Sequence, residues 1–184
     1  MKDKFDSRLN KSPCLCVKYQ GGDTLKTFSY NRDAAVAYAR KWALGRNPLY
    51  YDFQSIGGDC TNFASQCIYA GAGVMNFTPV FGWYYLSVSD RTPSWTGVEF
   101  LYDFLVNNQS VGPFGREVSR REVLPGDIVQ LGNRNGDFYH SPVIISVRPR
   151  ILVAAHSRDV LNKPLSSYNY QRARFIHIDG VRVE

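Results

Sequence analysis

Gly57-Gly58-Asp59-Cys60-Thr61-Asn62-Phe63-Ala64-Ser65-Gln66-Cys67 is the stretch whose reading decides the fold. The two glycines and the aspartate ahead of Cys60 read as a tight turn that delivers the chain into a helix: Gly tolerates unusual dihedrals, and Asp accepts hydrogen bonds from first-turn amides. From Phe63 onward, Phe63, Cys67 and Ala70, with Ala64 and Ile68 across the face, recur at helical spacing, so the helix buries one side. Cys60 is therefore expected at a helix N-terminus, in the positive end of the dipole. A free thiol has a pKa of about 8.5 and is only slightly ionised near neutrality, and a helix N-terminus and a neighbouring imidazole both lower that value. His140, in Tyr139-His140 downstream of Pro125-Gly126-Asp127, is the expected proton acceptor. This is the layout of a thiol hydrolase.

Working outward, the expected class is α+β. Residues 1–28 form an N-terminal extension with a short strand over 14–19 and a turn at Gly21-Gly22-Asp23; residues 29–184 form one domain. Asn31 or Asp33 caps a helix with Ala35, Val36, Tyr38, Ala39, Trp42 and Ala43 on its apolar face, stopped by Gly45 and Asn47-Pro48. An aromatic loop, Phe77 to Tyr85, follows the cysteine helix. Ser94 is expected to cap a further helix carrying Trp95, Val98, Leu101, Tyr102, Leu105 and Val106. After Pro125, four short strands are expected, over 128–131, 141–147, 151–155 and 175–178, so helices come first and a mostly antiparallel sheet second.

Composition narrows the function classes. The 184 residues are 44% hydrophobic and 14% aromatic, enough for one domain with a sizeable core. The net charge of +6 favours anionic partners, but the basic residues are scattered in short clusters such as Arg116, Arg120 and Arg121, so no nucleic-acid partner is expected. No stretch approaches the ~20 apolar residues of a membrane span, and no apolar run marks a signal peptide. As written the chain is expected to be cytoplasmic, or secreted or wall-associated if it is processed or exported by another route.

Four cysteines do not make a disulfide framework here. Cys14 and Cys16 alternate across a strand, and Cys60 and Cys67 lie about 10 Å apart along a helix, too far to bond. Cys14-x-Cys16 lacks zinc-site spacing, so no metal and no cofactor are expected. Cys67 reads as core. His177, between Ile176 and Ile178 with no motif around it, reads as structural.

Pro125-Gly126-Asp127-Ile128-Val129 followed by His140 resembles the segment shared by the NlpC-like and CHAP bacterial wall hydrolases. Gly58-Asp59-Cys60-Thr61-Asn62-Phe63, Gly82-Trp83-Tyr84-Tyr85, Ser94-Trp95-Thr96, Gly126-Asp127 and His140-Ser141 more closely resemble the bacterial amidase domain family of the amidase-six type, over roughly residues 30–182. That resemblance implies a papain-like cysteine hydrolase fold, with Cys60 as nucleophile, His140 as base and His156 as the residue that orients it. Asp159 is the competing orienter, since a carboxylate does the same work. The Cys60 amide is one oxyanion donor. For the second, the papain-like pattern points to Gln54 and the NlpC-like pattern to a tyrosine such as Tyr51. Trp83, Tyr84 and Tyr85 are candidates for a wall against a sugar or peptide, with buried core the competing fate.

The resulting expectation is an amide hydrolase acting through an acyl-enzyme on a bacterial cell-wall peptide or peptidoglycan. A catalytically silent binding module of the same fold and a thiol acyltransferase stay open, as does the oligomeric state.

Overall fold

The computed structural model describes residues 24–184; the strand expected over 14–19, with Cys14 and Cys16, and the Gly21-Gly22-Asp23 turn lie outside the described residues. In chain order the elements are β1 (Lys26–Phe28), α1 (Arg32–Trp42), α2 (Cys60–Ala72), α3 (Pro93–Thr96), α4 (Val98–Asn107), β2 (Gly112–Val118), β3 (Ile128–Gly132), β4 (Phe138–His140), β5 (Val143–Ser146), β6 (Leu152–Ala155), β7 (Val160–Pro164) and β8 (Arg172–Val183). Short 3-10 turns occupy Gln54–Ile56 and Leu165–Ser167. Helices and one eight-stranded sheet make this an α+β protein. The strand order is β1-β8-β3-β5-β6-β7, with β2 also on β8 and β4 also on β3, and each pairing is antiparallel.

The period-2 alternation of strand side chains divides the core into two layers. On β3, Ile128 faces the helices while Val129 and Leu131 face the other side; on β5, Val143 and Ile145 face the helices and Ile144 the other side. The helix side joins these residues to Ala35 and Ala39 of α1, Phe63, Ala64, Cys67 and Ile68 of α2, and Leu101, Phe104 and Leu105 of α4. The opposite layer is closed by Val123, Ile151, Val153, Leu165 and Phe175.

Local chemistry explains where the helices begin. Asn31 caps α1 by accepting a 3.0 Å hydrogen bond from the Ala34 amide. Ser94, expected as a cap, lies instead inside the short α3, buried with its hydroxyl on the Gly82 carbonyl. Gly97 separates α3 from α4, so the expected single helix is two. The sheet is also larger than expected: β1, β2, β4 and β7 join the four anticipated strands.

α2 is buried on nearly all sides, including four polar side chains, and each of these has a partner as burial requires. Thr61 Oγ1 donates to Ser141 Oγ at 3.2 Å. Asn62 donates to the Tyr51 carbonyl at 3.1 Å and accepts from Trp95 Nε1 at 2.9 Å. Ser65 accepts from Trp83 Nε1 at 3.1 Å, and Gln66 accepts from the Tyr38 hydroxyl at 2.7 Å. The polar residues of the Cys60-to-Cys67 stretch thus fix how α2 sits among α1, α3 and the sheet.

Candidate active site

Gly57 and Gly58 take φ of 121° and 101°, values disfavoured for any side chain, and turn the chain into α2 so that Cys60 is its first residue. The Cys60 amide is therefore one of the helix's open donors. Sγ lies 3.8 Å from Thr61 Oγ1 and 4.0 Å from the carbonyl of Tyr139, the residue before His140. The start of α2 thus meets the end of β4. Backbone amides of Ser141, Thr61 and Cys60 favour the thiolate, yet burial outweighs them and pushes the Cys60 thiol up. The thiol is not the pre-activated thiolate expected from the helix dipole alone.

His140 is held differently from the expectation. Burial, aided by the Lys163 ammonium, lowers its pKa to about 4, so the imidazole is neutral near pH 7. Its ring rests 5.6 Å from that of Tyr168. No hydrogen bond joins it to Cys60 among the described residues; such bonds commonly tighten only when substrate arrives. Tyr168 is itself close enough to Cys60 for the thiolate charge to add to burial in raising its hydroxyl to about 12.

His156 is not placed to orient His140. Its Nδ1 lies 2.6 Å from Asp59 Oδ2, its Nε2 lies 2.9 Å from the Trp42 carbonyl, and its ring stacks on Phe63 at 4.0 Å. Both ring nitrogens are occupied. Ser157, next in sequence, accepts the Asp59 amide at 2.9 Å from a left-handed backbone, φ 79°. Asp59, expected to cap first-turn amides, turns its carboxylate backwards, accepting from the Phe53 amide at 3.0 Å and Asn62 Nδ2 at 2.8 Å. Two consecutive residues at the end of β6 therefore grip the side chain and the backbone of the residue before Cys60.

Asp159 is likewise engaged elsewhere, in a two-pronged contact with Arg46 at 2.9 and 3.0 Å. Arg46 also donates to Gln54 Oε1 at 2.8 Å and lies 3.2 Å from Asp52. Arg46, Tyr51, Asp52, Gln54 and Asp159 line one open concavity of about 690 Å³. Gln54 and Tyr51 thus face the same cleft, and neither hydrogen-bonds to Cys60.

Of the expected aromatic wall, Trp83 is fully buried and Tyr85 nearly so, its hydroxyl accepting the Tyr51 amide at 2.9 Å. They belong to the core with Trp95, leaving Tyr84 half-buried against Phe77. His177 fits its structural reading, with Nδ1 2.8 Å from Asp127 Oδ2. Asp127 of the Pro-Gly-Asp segment is fully buried, bound by Arg32 at 2.6 Å and by the Ile178 amide at 3.1 Å, and so ties α1 to β8. Tyr168 and Lys163 were missed by sequence reasoning: no motif surrounds them, Tyr168 reaches His140 because the β7–β8 connection folds over β4, held by the Tyr139 hydroxyl on the Asn169 carbonyl at 3.2 Å, and Lys163 of β7 lies over the Tyr168 ring. Cys60 and Cys67 are both free. Among the described residues no cluster of His, Cys, Asp and Glu gathers at metal-binding spacing, and no helix is long and apolar enough to cross a membrane.

The site thus sets a cysteine at a buried helix start beside the end of a histidine-bearing strand, in an α+β domain with an antiparallel sheet. The chain belongs to the family described as "Putative amidase domain", whose model matches residues 29–178, and the family's description suggests an amidase-type hydrolase. It is also 33% identical over 124 residues to the protein of Bacillus subtilis (strain 168) described as "Uncharacterized protein YhbB". That similarity covers 66% of this chain and 39% of that protein's length. No solved structure matches.

Proposed function

We propose that this domain is a papain-like cysteine amide hydrolase acting on a peptide of the bacterial cell wall or on the amide that joins peptide to glycan. The observation that carries the reading is the approach of Cys60 Sγ, at the first turn of α2, to the Tyr139 carbonyl beside His140. Neutral His140 takes the thiol proton as sulfur attacks the scissile carbonyl. The Cys60 amide, fixed by the helix, donates to the oxygen that gains charge. Collapse expels the amine, which leaves with the proton from His140, and the acyl group stays on sulfur as a thioester. Water attacks that thioester, giving a proton to His140. The carboxylic acid departs, and the thiol recovers its proton. The net charge of +6 suits an anionic wall polymer.

Purified wall fragments incubated with the parent and with Cys60→Ser, read by mass spectrometry, test the reading. Cleavage into one new amine and one new carboxyl, present in the parent and lost in the variant, is expected. Equal cleavage by Cys60→Ser would overturn the cysteine mechanism. Product that forms only when a second amine is supplied would make the protein an acyltransferase.

A further inference from the structure

Lys163 occupies an unusual place for a surface lysine. It is half-buried on the edge strand β7, and its Nζ sits 3.8 Å over the ring of Tyr168. That same ring packs 5.6 Å from His140. Among the described residues Lys163 makes no ion pair with a carboxylate, although six ion pairs engage Arg32, Arg46, Arg116 and Arg174. A cation beside a catalytic base opposes formation of the imidazolium on which the reaction depends, and here Lys163 does act on His140 in that direction. Among the described residues no carboxylate offsets this. An anion brought by the substrate would: it would pair with the ammonium and remove its opposition to the charged imidazole when the proton is transferred.

We propose that Lys163, seated on Tyr168, reads an anionic group of the substrate, so that the amide cut by this domain is flanked by a free carboxylate. The inference rests on the cysteine-hydrolase reading and narrows its substrate class. The aromatic ring fixes the aliphatic stem and the direction of the ammonium through a cation–π contact, leaving the remaining N–H donors for the ligand. The half-burial of the lysine makes the attraction less screened than at an open surface.

A pair of reagents of nearly the same size tests this without knowledge of the natural substrate. Iodoacetate carries a carboxylate; iodoacetamide is its neutral counterpart. Rates of Cys60 alkylation by each are read by mass spectrometry at pH 7 on the folded protein, for the parent, Lys163→Met and Lys163→Arg. Met keeps the aliphatic contact with Tyr168, and Arg keeps the charge. The ratio of iodoacetate to iodoacetamide rates is expected to fall about threefold to tenfold in Lys163→Met, to be largely kept in Lys163→Arg, and to shrink in the parent near 1 M salt. The same ratio in all three proteins, with Cys60 still labelled faster in the parent than in His140→Ala, would overturn the Lys163 inference and leave the hydrolase reading standing. Labelling by both reagents no faster than for an ordinary thiol, and indifferent to His140, would overturn both.

Discussion

His156 Nδ1 lies 2.6 Å from Asp59 Oδ2, immediately before the candidate nucleophile. The other ring nitrogen lies 2.9 Å from the Trp42 carbonyl, an oxygen that can only accept. Both side chains are out of water, and each ring nitrogen has an oxygen within hydrogen-bond reach. Losing either partner leaves a buried polar atom of the other without its hydrogen bond, although Asp59 keeps the Phe53 amide, Asn62 and, 3.5 Å away, Arg46. His156 is in this way a residue that positions the Cys60 turn.

His156→Ala is expected to destabilise the fold by about 1–3 kcal/mol, through the lost hydrogen bond and the lost stacking on Phe63, and Asp59→Asn by a similar amount. The double variant should be much less destabilised than the sum of the two. Denaturant titration of the four proteins checks this. Additive losses would contradict a direct pairing.

Asp159→Asn should leave the acyl-transfer rate within a few-fold of the parent, since its carboxylate contacts Arg46 and not His140. His140→Ala should lower the rate by at least ~100-fold. Single-turnover kinetics on any cleaved amide distinguishes the two, and a loss at Asp159 as deep as that at His140 would restore it as the orienting residue.

Stability should fall on acidification through His140. Its folded pKa is about 4 against 6.5 for an unperturbed imidazole. Between those values the unfolded chain binds more protons, so the stabilisation is complete above pH 6.5 and is lost as pH falls towards 4, by up to roughly 3 kcal/mol. Urea midpoints across this window should show a shallower slope for His140→Asn. An unchanged slope would mean that the half-buried His140 ring keeps an ordinary imidazole environment.

Trp83→Phe removes the indole N–H that Ser65 accepts and leaves a small void beside Trp95, and should cost about 1–3 kcal/mol. Specificity among cleaved amides should not change. A selective loss of one substrate with unaltered thermal stability would return Trp83 to the binding surface.

What the sequence made legible followed from local rules. The helix start at Cys60, the Asn31 cap and the strands over 128–131 and 151–155 rest on turn glycines, capping chemistry and periodicity, which act within a few residues. The short β1, β4 and β7 carry no pattern long enough to read, and they form because their neighbours supply hydrogen bonds. The same limit governs the site. Cys60 and His140 were marked by their surroundings, whereas the partners of His156 and Asp159 depended on which side chains distant segments brought near. His156 is 97 residues from Asp59, and Arg46 is 113 from Asp159. Likewise, the burial that raises the Cys60 thiol belongs to the packed domain and is not written in the turn.

The measurement that bears most directly on the central claim is the pH dependence of Cys60 alkylation by iodoacetamide, read by mass spectrometry in the parent and in His140→Ala. With His140 removing the thiol proton, the parent should label at least ~10-fold faster than the variant between pH 6 and 8, with the two converging at alkaline pH where the thiol ionises unaided. Equal rates for the two proteins across that range would show that no base serves Cys60, and would contradict the account.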